Sequence, residues 1–180
     1  MTNSRRAVLI IDLQRAMFDG RLFAPIHDAA ALETRVQHLL AWARGSRVPV
    51  AFIQHHGPSG HPLAPDAPGW PIWPPIAPTG AEPVFAKSAG DAFANPDLGG
   101  WLAQNSVNAV VLAGAQSDHC VRATALGALN AGLEVAVVSD AHSTWASERE
   151  AASAISQRIN AELSQLGVLL IDVKALSQEV

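Results

Sequence analysis

The sequence predicts an α/β domain built on an open, doubly wound parallel sheet with helices on both faces. Three observations support this fold class: short runs rich in Val, Ile and Leu, helical patterns between them, and a length of 180 residues. Apolar runs that are continuous rather than alternating are typical of strands covered on both faces. Strand and helix alternate along the chain, which favours a three-layer, Rossmann-like architecture in a single domain over residues 1–180.

Five apolar runs are the candidate strands of this sheet. A shorter segment, VFA, precedes Lys87 and is a candidate for a small additional strand that enters the same sheet edge. In chain order, the five runs are AVLIID (7–12), VPVAFIQ (48–54), VNAVVLAG (107–114), LEVAVVSD (133–140) and GVLLIDV (167–173).

Three helical patterns lie between these runs. CVRATALGALNAG ends in a glycine suited to a helix C-cap, and Ser147 with Glu150 forms a capping-box pattern before AASAISQRINAEL. The first pattern, HDAAALETRVQHLLAWARGS, places apolar residues at helical spacing, namely Leu32, Val36, Leu39 and Leu40.

Residues 57–83 interrupt the alternation, because they hold most of the twelve prolines and two of the five tryptophans. Low-complexity disorder is one interpretation of this segment. Disordered segments are poor in aromatic residues, however, so we expect an ordered excursion that lies over the sheet edge.

Composition excludes several classes of partner. The net charge is −4 and the chain has no basic block, so we expect neither nucleic acid nor a membrane surface as a partner. Hydrophobic residues make up 49% and charged residues 16% of the chain, which leaves room for a buried subunit interface. We therefore expect a homo-oligomer, a dimer or a tetramer, that acts on a small molecule.

The amino terminus and the single cysteine indicate a cytosolic protein. In MTNSRRAVLIIDLQ, two arginines are followed by five apolar residues before Asp12, which is too short for a signal peptide or a membrane span. A lone thiol forms no internal disulfide, so a reducing, cytoplasmic location is expected.

Chemically reactive residues follow the predicted strands. In an open parallel sheet, ligands bind outside the carboxyl ends of the strands. Asp12 ends the first strand, Gln54 and His55 end the second, and Cys120 follows the fourth after a turn. Lys87 comes after the VFA segment, so a carboxylate, an amine and a thiol are predicted to share one cleft.

These three groups have the chemistry of a cysteine hydrolase. Cys120 is predicted to open a helix, where the helix dipole and the Lys87 ammonium would lower the thiol pKa and give a thiolate. Asp12 would accept the thiol proton and return it to a leaving amine, with an acyl-enzyme as intermediate. Each residue also has a plainer interpretation: a buried small hydrophobe for Cys120, a turn cap for Asp12 and a surface charge for Lys87.

Three motifs together resemble the isochorismatase-like cysteine hydrolases, a superfamily that includes nicotinamidases, N-carbamoylsarcosine amidase and ureidoacrylate amidohydrolases. The resemblance spans roughly residues 6–173 in order and spacing. The motifs are LIIDLQ with Asp12, FAKSAGDAF with Lys87, and AGAQSDHCVRATALGALNAGLEVAVVSDA with Cys120.

The resemblance implies an isochorismatase-like fold and a catalytic triad of Asp12, Lys87 and Cys120. It also implies a cis peptide between Ala115 and Gln116, with the amides of Gln116 and Cys120 as the oxyanion hole. Members that lack the cysteine cleave vinyl ethers, so the presence of Cys120 favours hydrolysis of a C–N bond. The alternatives are an isochorismatase-type vinyl ether hydrolase, in which Asp12 protonates the substrate, and a noncatalytic relic of the fold.

The chain departs from the nicotinamidases of this superfamily in its metal-binding pattern. Those enzymes share an Asp-x-His and a later His after the second strand. In this chain the corresponding segment is IQHHGPSGH, which supplies His55, His56 and His61 but contains no Asp-x-His. Adjacent strand residues point to opposite faces, so His55 and His56 are not expected to share one ion. We therefore predict no metal and no cofactor, and disfavour a nicotinamidase.

The same region resembles the QH-containing loop of the general cysteine hydrolases. The resemblance favours Gln54 and His55 as groups that orient a polar substrate, and Trp70 and Trp73 as walls of the pocket. Phe18 would add an apolar wall. Loop anchoring, core packing or a subunit interface are the alternative roles of these aromatic residues.

Two further histidines, His119 and His142, are weaker candidates for an acid–base role. His119 adjoins Cys120 in sequence and is expected to point away from it, so it ranks behind Asp12 as a base. Asp140 and His142 follow the fifth strand and suggest a second acid–base pair, but a structural turn is the favoured interpretation.

Overall fold

A computed structural model describes residues 4–176 and 178 of the chain and places six strands in one sheet. The sheet order is β3-β2-β1-β4-β5-β6, and every neighbouring pair is parallel, which confirms the predicted α/β fold. The strands are β1 (Arg6–Ile11), β2 (Val50–His55), β3 (Val84–Lys87), β4 (Ala109–Ala115), β5 (Glu134–Ser143) and β6 (Leu169–Ile171).

Helices cover both faces of this sheet, which explains why the strands read as continuous apolar runs. Side chains alternate along β1, so that Val8 and Ile10 enter one core while Leu9 and Ile11 enter the other. The first core contains residues of α1 (Ala29–Gly45) and α5 (Val173–Leu176). The second contains residues of α2 (Pro96–Gln104), α3 (Arg122–Asn130) and α4 (Ala152–Gln165). In the described residues, none of the helices has both the length and the apolar character needed to cross a membrane.

The predicted strand boundaries differ from the observed ones mainly at the last two strands. β5 extends to Ser143, because after a register shift His142 and Ser143 still pair with Gly114 and Ala115 of β4. β6 covers only Leu169–Ile171. The predicted VFA strand is present as β3 and forms one edge of the sheet.

The predicted helix ends are correct at one place and wrong at another. Gly132 follows α3 with φ of +76°, the left-handed conformation expected of a C-cap glycine. The predicted capping box is wrong, because Ser147 Oγ accepts from the amides of Arg149 and Glu150 within a turn. The helix itself begins at Ala152.

The proline-rich segment 57–83 is ordered, as predicted, but its position differs from the prediction. The amides of Arg15 and Ala16 donate to the carbonyls of Pro71 and Gly69, and the amide of Trp73 donates to the carbonyl of Leu13. These partners follow β1, which lies in the middle of the sheet. The segment therefore covers the carboxyl end of a central strand rather than a sheet edge alone.

Gly114 of β4 permits the close approach of β1 and β4 near the carboxyl ends of these two strands. Its φ is +139°, and a Cβ atom there would overlap the carbonyl oxygen of Ile11 and lie 2.7 Å from the Ile11 nitrogen. We expect Gly114→Ala to lower the free energy of unfolding by about 3 kcal/mol, since backbone strain and overpacking each cost about 1–3 kcal/mol. Urea denaturation would measure the loss.

Gly99 provides the matched control, because it lies within α2 and a Cβ there would meet nothing within 4 Å. Gly99→Ala should leave stability unchanged or raise it by up to about 1 kcal/mol, as alanine is the better helix former. Equal midpoints for wild type and Gly114→Ala would contradict the close-approach explanation.

Candidate active site

The site lies where the chain connections of the sheet diverge. β2 follows β1 on one side, whereas β4 lies on the other side of β1 after the chain has passed through β3 and α2. Such a switch point leaves a crevice at the carboxyl ends of the two strands. Asp12 follows β1 directly, and Cys120 follows β4 by five residues.

The structure brings Asp12, Lys87 and Cys120 together at this crevice. Lys87 Nζ donates to Asp12 Oδ2 at 2.6 Å and to Cys120 Sγ at 3.3 Å. Its third contact is with the carbonyl oxygen of Ala89 at 3.0 Å. The ammonium group therefore bridges the carboxylate and the sulfur, with one contact for each of its three protons.

Asp12 and Lys87 are buried, which rules out the surface-charge interpretation of Lys87. Their exposed fractions are 2% and 5%, so Lys87 is no surface charge. Asp12 has φ of +52°, a conformation that Asp tolerates better than most residues, and its amide donates to the carbonyl of Ile53. This backbone conformation ends β1 and directs the carboxylate towards Lys87.

Cys120 lies within a π-helical turn, Ser117–Val121, and α3 begins after this turn at Arg122. Cys120 is predicted to open a helix, and it lies in the helical turn that leads directly into α3, two residues before the α-helix begins. The amides of His119 and Val121 both donate to the carbonyl of Gln116, which closes the turn. The cis peptide that the resemblance implies is present between Ala115 and Gln116.

The surroundings of Cys120 disfavour the expected thiolate in the resting protein. Burial, together with an Asp12 charge that acts more strongly than the Lys87 ammonium, raises the pKa of Cys120 to about 12. Burial likewise raises the pKa of Asp12 despite Lys87. A carboxylate with a raised pKa is a stronger base, so Asp12 is suited to take the thiol proton when the nucleophile attacks.

His55 is the neighbour of this triad. It pairs with Lys87 in the β2–β3 register, and burial and the Lys87 charge lower its pKa, so the imidazole is neutral at pH 7. Within the described part of the chain, His55 Nδ1 is buried and has no hydrogen-bond partner. His55 thus lies beside the triad residues, and its role in orienting a substrate stays a prediction.

The side chains that could together hold a metal ion include only one histidine of the predicted pattern, His55. Among the residues that the structure describes, Asp12, His55 and Cys120 each offer one ligand atom, and these atoms lie within 4.8 Å of one another. Lys87 already supplies a positive charge to two of the three. His56 packs its ring against Trp70 at 5.3 Å, apart from this group. The arrangement fits a lysine-based triad better than a histidine metal site, and the absence of a metal stays a prediction.

Gln14, which the sequence analysis missed, holds the second strand and the proline-rich segment in place. Its side chain is fully buried, its Nε2 donates to the carbonyls of His55 and Trp70, and its Oε1 accepts from the amide of His55. Gln54 Nε2 also donates to the Trp70 carbonyl. Gln54 thus anchors the loop, and its role in orienting a substrate stays a prediction.

The predicted aromatic pocket residues form two ring contacts and one hydrogen bond. Phe18 stacks on Trp73 with ring centroids 5.1 Å apart, and Trp73 Nε1 donates to Glu33 of α1. Trp70 packs against His56 instead. Trp73 therefore fastens the proline-rich segment to α1, and the pocket role of all three aromatic residues remains a prediction.

The residues flanking Cys120 have structural contacts. The side chain of His119 is 67% exposed and points away from the triad, as expected. Asp118 Oδ1 accepts from Thr144 Oγ1. Asp91, which follows β3, caps the short helix Ala92–Ala94 by accepting from the amide of Phe93.

The sequence is similar to proteins of a known family. A family model described as the isochorismatase domain matches residues 6–168. A streptothricin hydrolase from Streptomyces noursei is 36% identical over 159 residues, which cover 88% of this chain and 56% of the relative. The nicotinamidase/pyrazinamidase of Mycobacterium tuberculosis (strain ATCC 25618 / H37Rv) is 30% identical over 158 residues, which cover 75% of this chain and 84% of the relative.

Solved structures show the same fold. A cysteine hydrolase from Pseudomonas syringae pv. phaseolicola 1448A superposes with a TM-score of 0.90 and 18% identity over 97% of this chain and 91% of that one. The chain spans 56% and 62% of the lengths of two streptothricin hydrolases that it matches. Because the family model covers most of the chain and the motif residues converge at the sheet crevice, the chain belongs to the isochorismatase family.

Proposed function

We propose that this chain hydrolyses the C–N bond of a small-molecule amide through a thioester on Cys120. The observation that carries the proposal is the Lys87 ammonium in contact with both the Asp12 carboxylate and the Cys120 sulfur. Two relatives support hydrolysis by name, one as a streptothricin hydrolase and one as a nicotinamidase/pyrazinamidase, and the second name also supports an amide substrate. The presence of the cysteine favours amide over vinyl ether cleavage.

The first half of the reaction forms the acyl-enzyme. As Cys120 Sγ attacks the carbonyl carbon, the S–C bond forms and the thiol proton moves to Asp12. Negative charge develops on the carbonyl oxygen, which the amides of Gln116 and Cys120 are proposed to stabilise. The C–N bond then breaks, and Asp12 returns the proton to the leaving nitrogen.

The second half releases the acid. Water attacks the thioester carbon and gives one proton to Asp12 as it does so. The S–C bond then breaks, the carboxylic acid leaves, and the proton on Asp12 restores the Cys120 thiol. Asp12 is thus acceptor and donor once in each half, and water is the only co-reactant.

Lys87 keeps the charge of the site balanced during these steps. Negative charge moves between the Asp12 carboxylate and the Cys120 sulfur, and Lys87 Nζ lies 2.6 Å and 3.3 Å from these groups. In a buried site a fixed positive charge stabilises both locations of the charge without reorganisation of water. Lys87 is therefore an electrostatic partner and need not transfer a proton itself.

Substrate binding is proposed to involve residues around the triad. Neutral His55, which has a ring nitrogen within 4.8 Å of Asp12 and Cys120, is the best placed to bind a polar substrate group. Phe18, Gln54, Trp70 and Trp73 are proposed to shape the remainder of the pocket, partly by holding the proline-rich segment over the carboxyl end of β1.

Ammonia release from a panel of amides tests the proposal. The panel contains nicotinamide, N-carbamoyl compounds, ureidoacrylate-like amides and simple aliphatic amides, each with and without a chelator. We expect turnover of at least one class, unchanged by chelator, and an acyl mass adduct on Cys120 in rapidly quenched samples. Failure of every class, with no adduct on Cys120, would contradict the proposed function.

The raised pKa of Asp12 predicts the acid limb of the pH profile. Asp12 acts as a base only when ionised, so kcat/KM should fall on acidification at a pH above 3.8, its ordinary value, because burial raises the pKa. Its contribution to fold stability has the opposite sign, since a raised folded-state pKa favours the folded protein at low pH. His55→Gln should keep this limb, and loss of the limb in that variant would assign it to His55 instead.

A further inference from the structure

A buried chain of hydrogen bonds lies behind the turn that carries Cys120. Ser117 Oγ contacts His142 Nδ1 at 2.8 Å and Ser156 Oγ at 2.9 Å. His142 Nε2 contacts Asn160 Oδ1 at 2.9 Å, and Asn160 Nδ2 donates to the carbonyl of Ser139 at 3.0 Å. The chain joins the π-helical turn to β5 and α4, and it contains no residue of the triad.

The direction of each hydrogen bond follows from its neighbour. Because Asn160 uses its NH₂ group on Ser139, its Oδ1 is an acceptor, so His142 Nε2 carries the proton. Burial lowers the pKa of His142, which keeps the ring neutral and leaves a lone pair on Nδ1. Ser117 therefore donates to His142 and accepts from Ser156.

Ser117 occupies a sensitive place in the turn. It lies between Gln116, whose peptide bond to Ala115 is cis, and the nucleophile Cys120. Its side chain is fully buried. Within the turn itself, the amides of His119 and Val121 converge on the single carbonyl of Gln116. A side-chain anchor at Ser117 thus adds a contact from outside the turn to the segment that presents the amides of Gln116 and Cys120.

We propose that His142 is a positioning residue for amide hydrolysis, which acts through Ser117 to hold the amides of Gln116 and Cys120 in place. This inference rests on the proposed function. An oxyanion hole stabilises charge only when its donors are fixed at about 2.7–3.1 Å from the developing oxyanion. The hydroxyl of Ser117, locked to His142, restricts the turn to one arrangement and so lowers the cost of reaching that geometry.

Two reactions at the same thiol separate this role from a general structural one. Acylation of Cys120 by p-nitrophenyl acetate passes through an oxyanion, whereas alkylation by iodoacetamide does not. Both reactions require loss of the thiol proton, so the ratio of their rates reports on the oxyanion hole alone. Cys120 is the one cysteine of the chain, so each reagent has one thiol to modify.

We expect His142→Leu to lower the acylation rate and the kcat for amides by about 10- to 100-fold, with KM and the alkylation rate changed less than about threefold. His142→Asn keeps an acceptor facing Ser117 and should recover most of the loss. Ser117→Ala should reproduce the leucine variant. Ser156→Ala removes only the outer contact of Ser117 and should have a smaller effect.

An unchanged acylation-to-alkylation ratio in His142→Leu would overturn the inference. This holds whether both rates stay at the wild-type level or both fall together, the second of which indicates a damaged fold. No recovery in His142→Asn would also overturn it. Wild type distinguishes these results from failure of the proposed function: a wild-type Cys120 that alkylates but is never acylated overturns both, whereas acylation without amide turnover overturns the proposed function alone.

Discussion

Replacement of Cys120 with alanine is expected to abolish amide turnover, with a fall in kcat of about 10⁴-fold or more. Without the sulfur no thioester can form, and direct attack of water would require Asp12 to serve a nucleophile for which the site is not arranged. The variant should fold normally, because Cys120 is only partly buried and alanine is well tolerated in the helical turn. Ammonia release under saturating substrate measures the effect.

Cys120→Ser is the matched variant, since it keeps the size and the hydrogen-bonding capacity of the side chain near Lys87. Its hydroxyl has a far higher pKa than a thiol, so Asp12 should activate it poorly and most of the activity should still be lost. Persistence of wild-type turnover in Cys120→Ala would contradict the thioester mechanism. That outcome would favour the vinyl-ether-type alternative, in which Asp12 protonates the substrate and the sulfur takes no part.

The sheet could be predicted from the sequence because both of its faces are covered. Leu9 and Ile11 pack on one face and Val8 and Ile10 on the other, so the run in β1 is apolar throughout. Prediction from a local pattern failed at the capping box of Ser147. A short-range pattern does not determine whether the hydroxyl caps a helix or closes a turn before it.

The proximity of Asp12, Lys87 and Cys120 could be predicted for a related reason. Asp12 and Lys87 lie at the carboxyl ends of parallel strands. These ends meet at one side of the sheet, independently of the conformation of the loops. Their protonation could not be predicted in the same way. The pKa of Cys120 depends on how much of the thiol is removed from water and on the Asp12 charge, and neither is encoded in the few residues around the cysteine.

Gln14 and His142 show where sequence reasoning reaches its limit. Gln14 follows Asp12 by two residues, but its partners come from His55 and Trp70, which are 41 and 56 positions away. His142 and Ser117 are 25 positions apart and meet only because β4 and β5 are neighbours. Long-range polar contacts of this kind leave no periodic signal in one sequence.

Asp12→Asn is the second variant for which we expect a large effect, a fall in kcat of about 10³- to 10⁴-fold. Asparagine keeps the shape of the side chain and tolerates the positive φ of +52° at this position. It cannot accept the proton of the Cys120 thiol, however, whose pKa of about 12 makes spontaneous ionisation rare at pH 7. Acylation should therefore become the slow step, visible as loss of the nitrophenolate burst with p-nitrophenyl acetate.

The same variant also tests the electrostatics of the buried pair. Removal of one partner of a buried ion pair commonly costs about 3–5 kcal/mol. Burial raises the pKa of Asp12 despite Lys87, however, so the folded protein favours the neutral side chain and Asp12→Asn should lose much less stability than that. Asp12→Asn combined with Lys87→Met removes both charges, and such neutral replacements of a buried pair are often close to neutral in stability. We expect the double variant to match wild type closely in urea denaturation.

In the double variant we expect stability to be kept while activity stays lost, which separates the catalytic role of the pair from its role in stability. If the Asp12→Asn defect came only from a disturbed fold, the double variant would recover turnover together with stability. Because Asp12 is the proposed proton acceptor and Lys87 the charge that stabilises both Asp12 and the sulfur, we expect a stable and inactive double variant. Recovered turnover in a protein that has neither group would contradict both proposed roles and would mean that another residue transfers the proton.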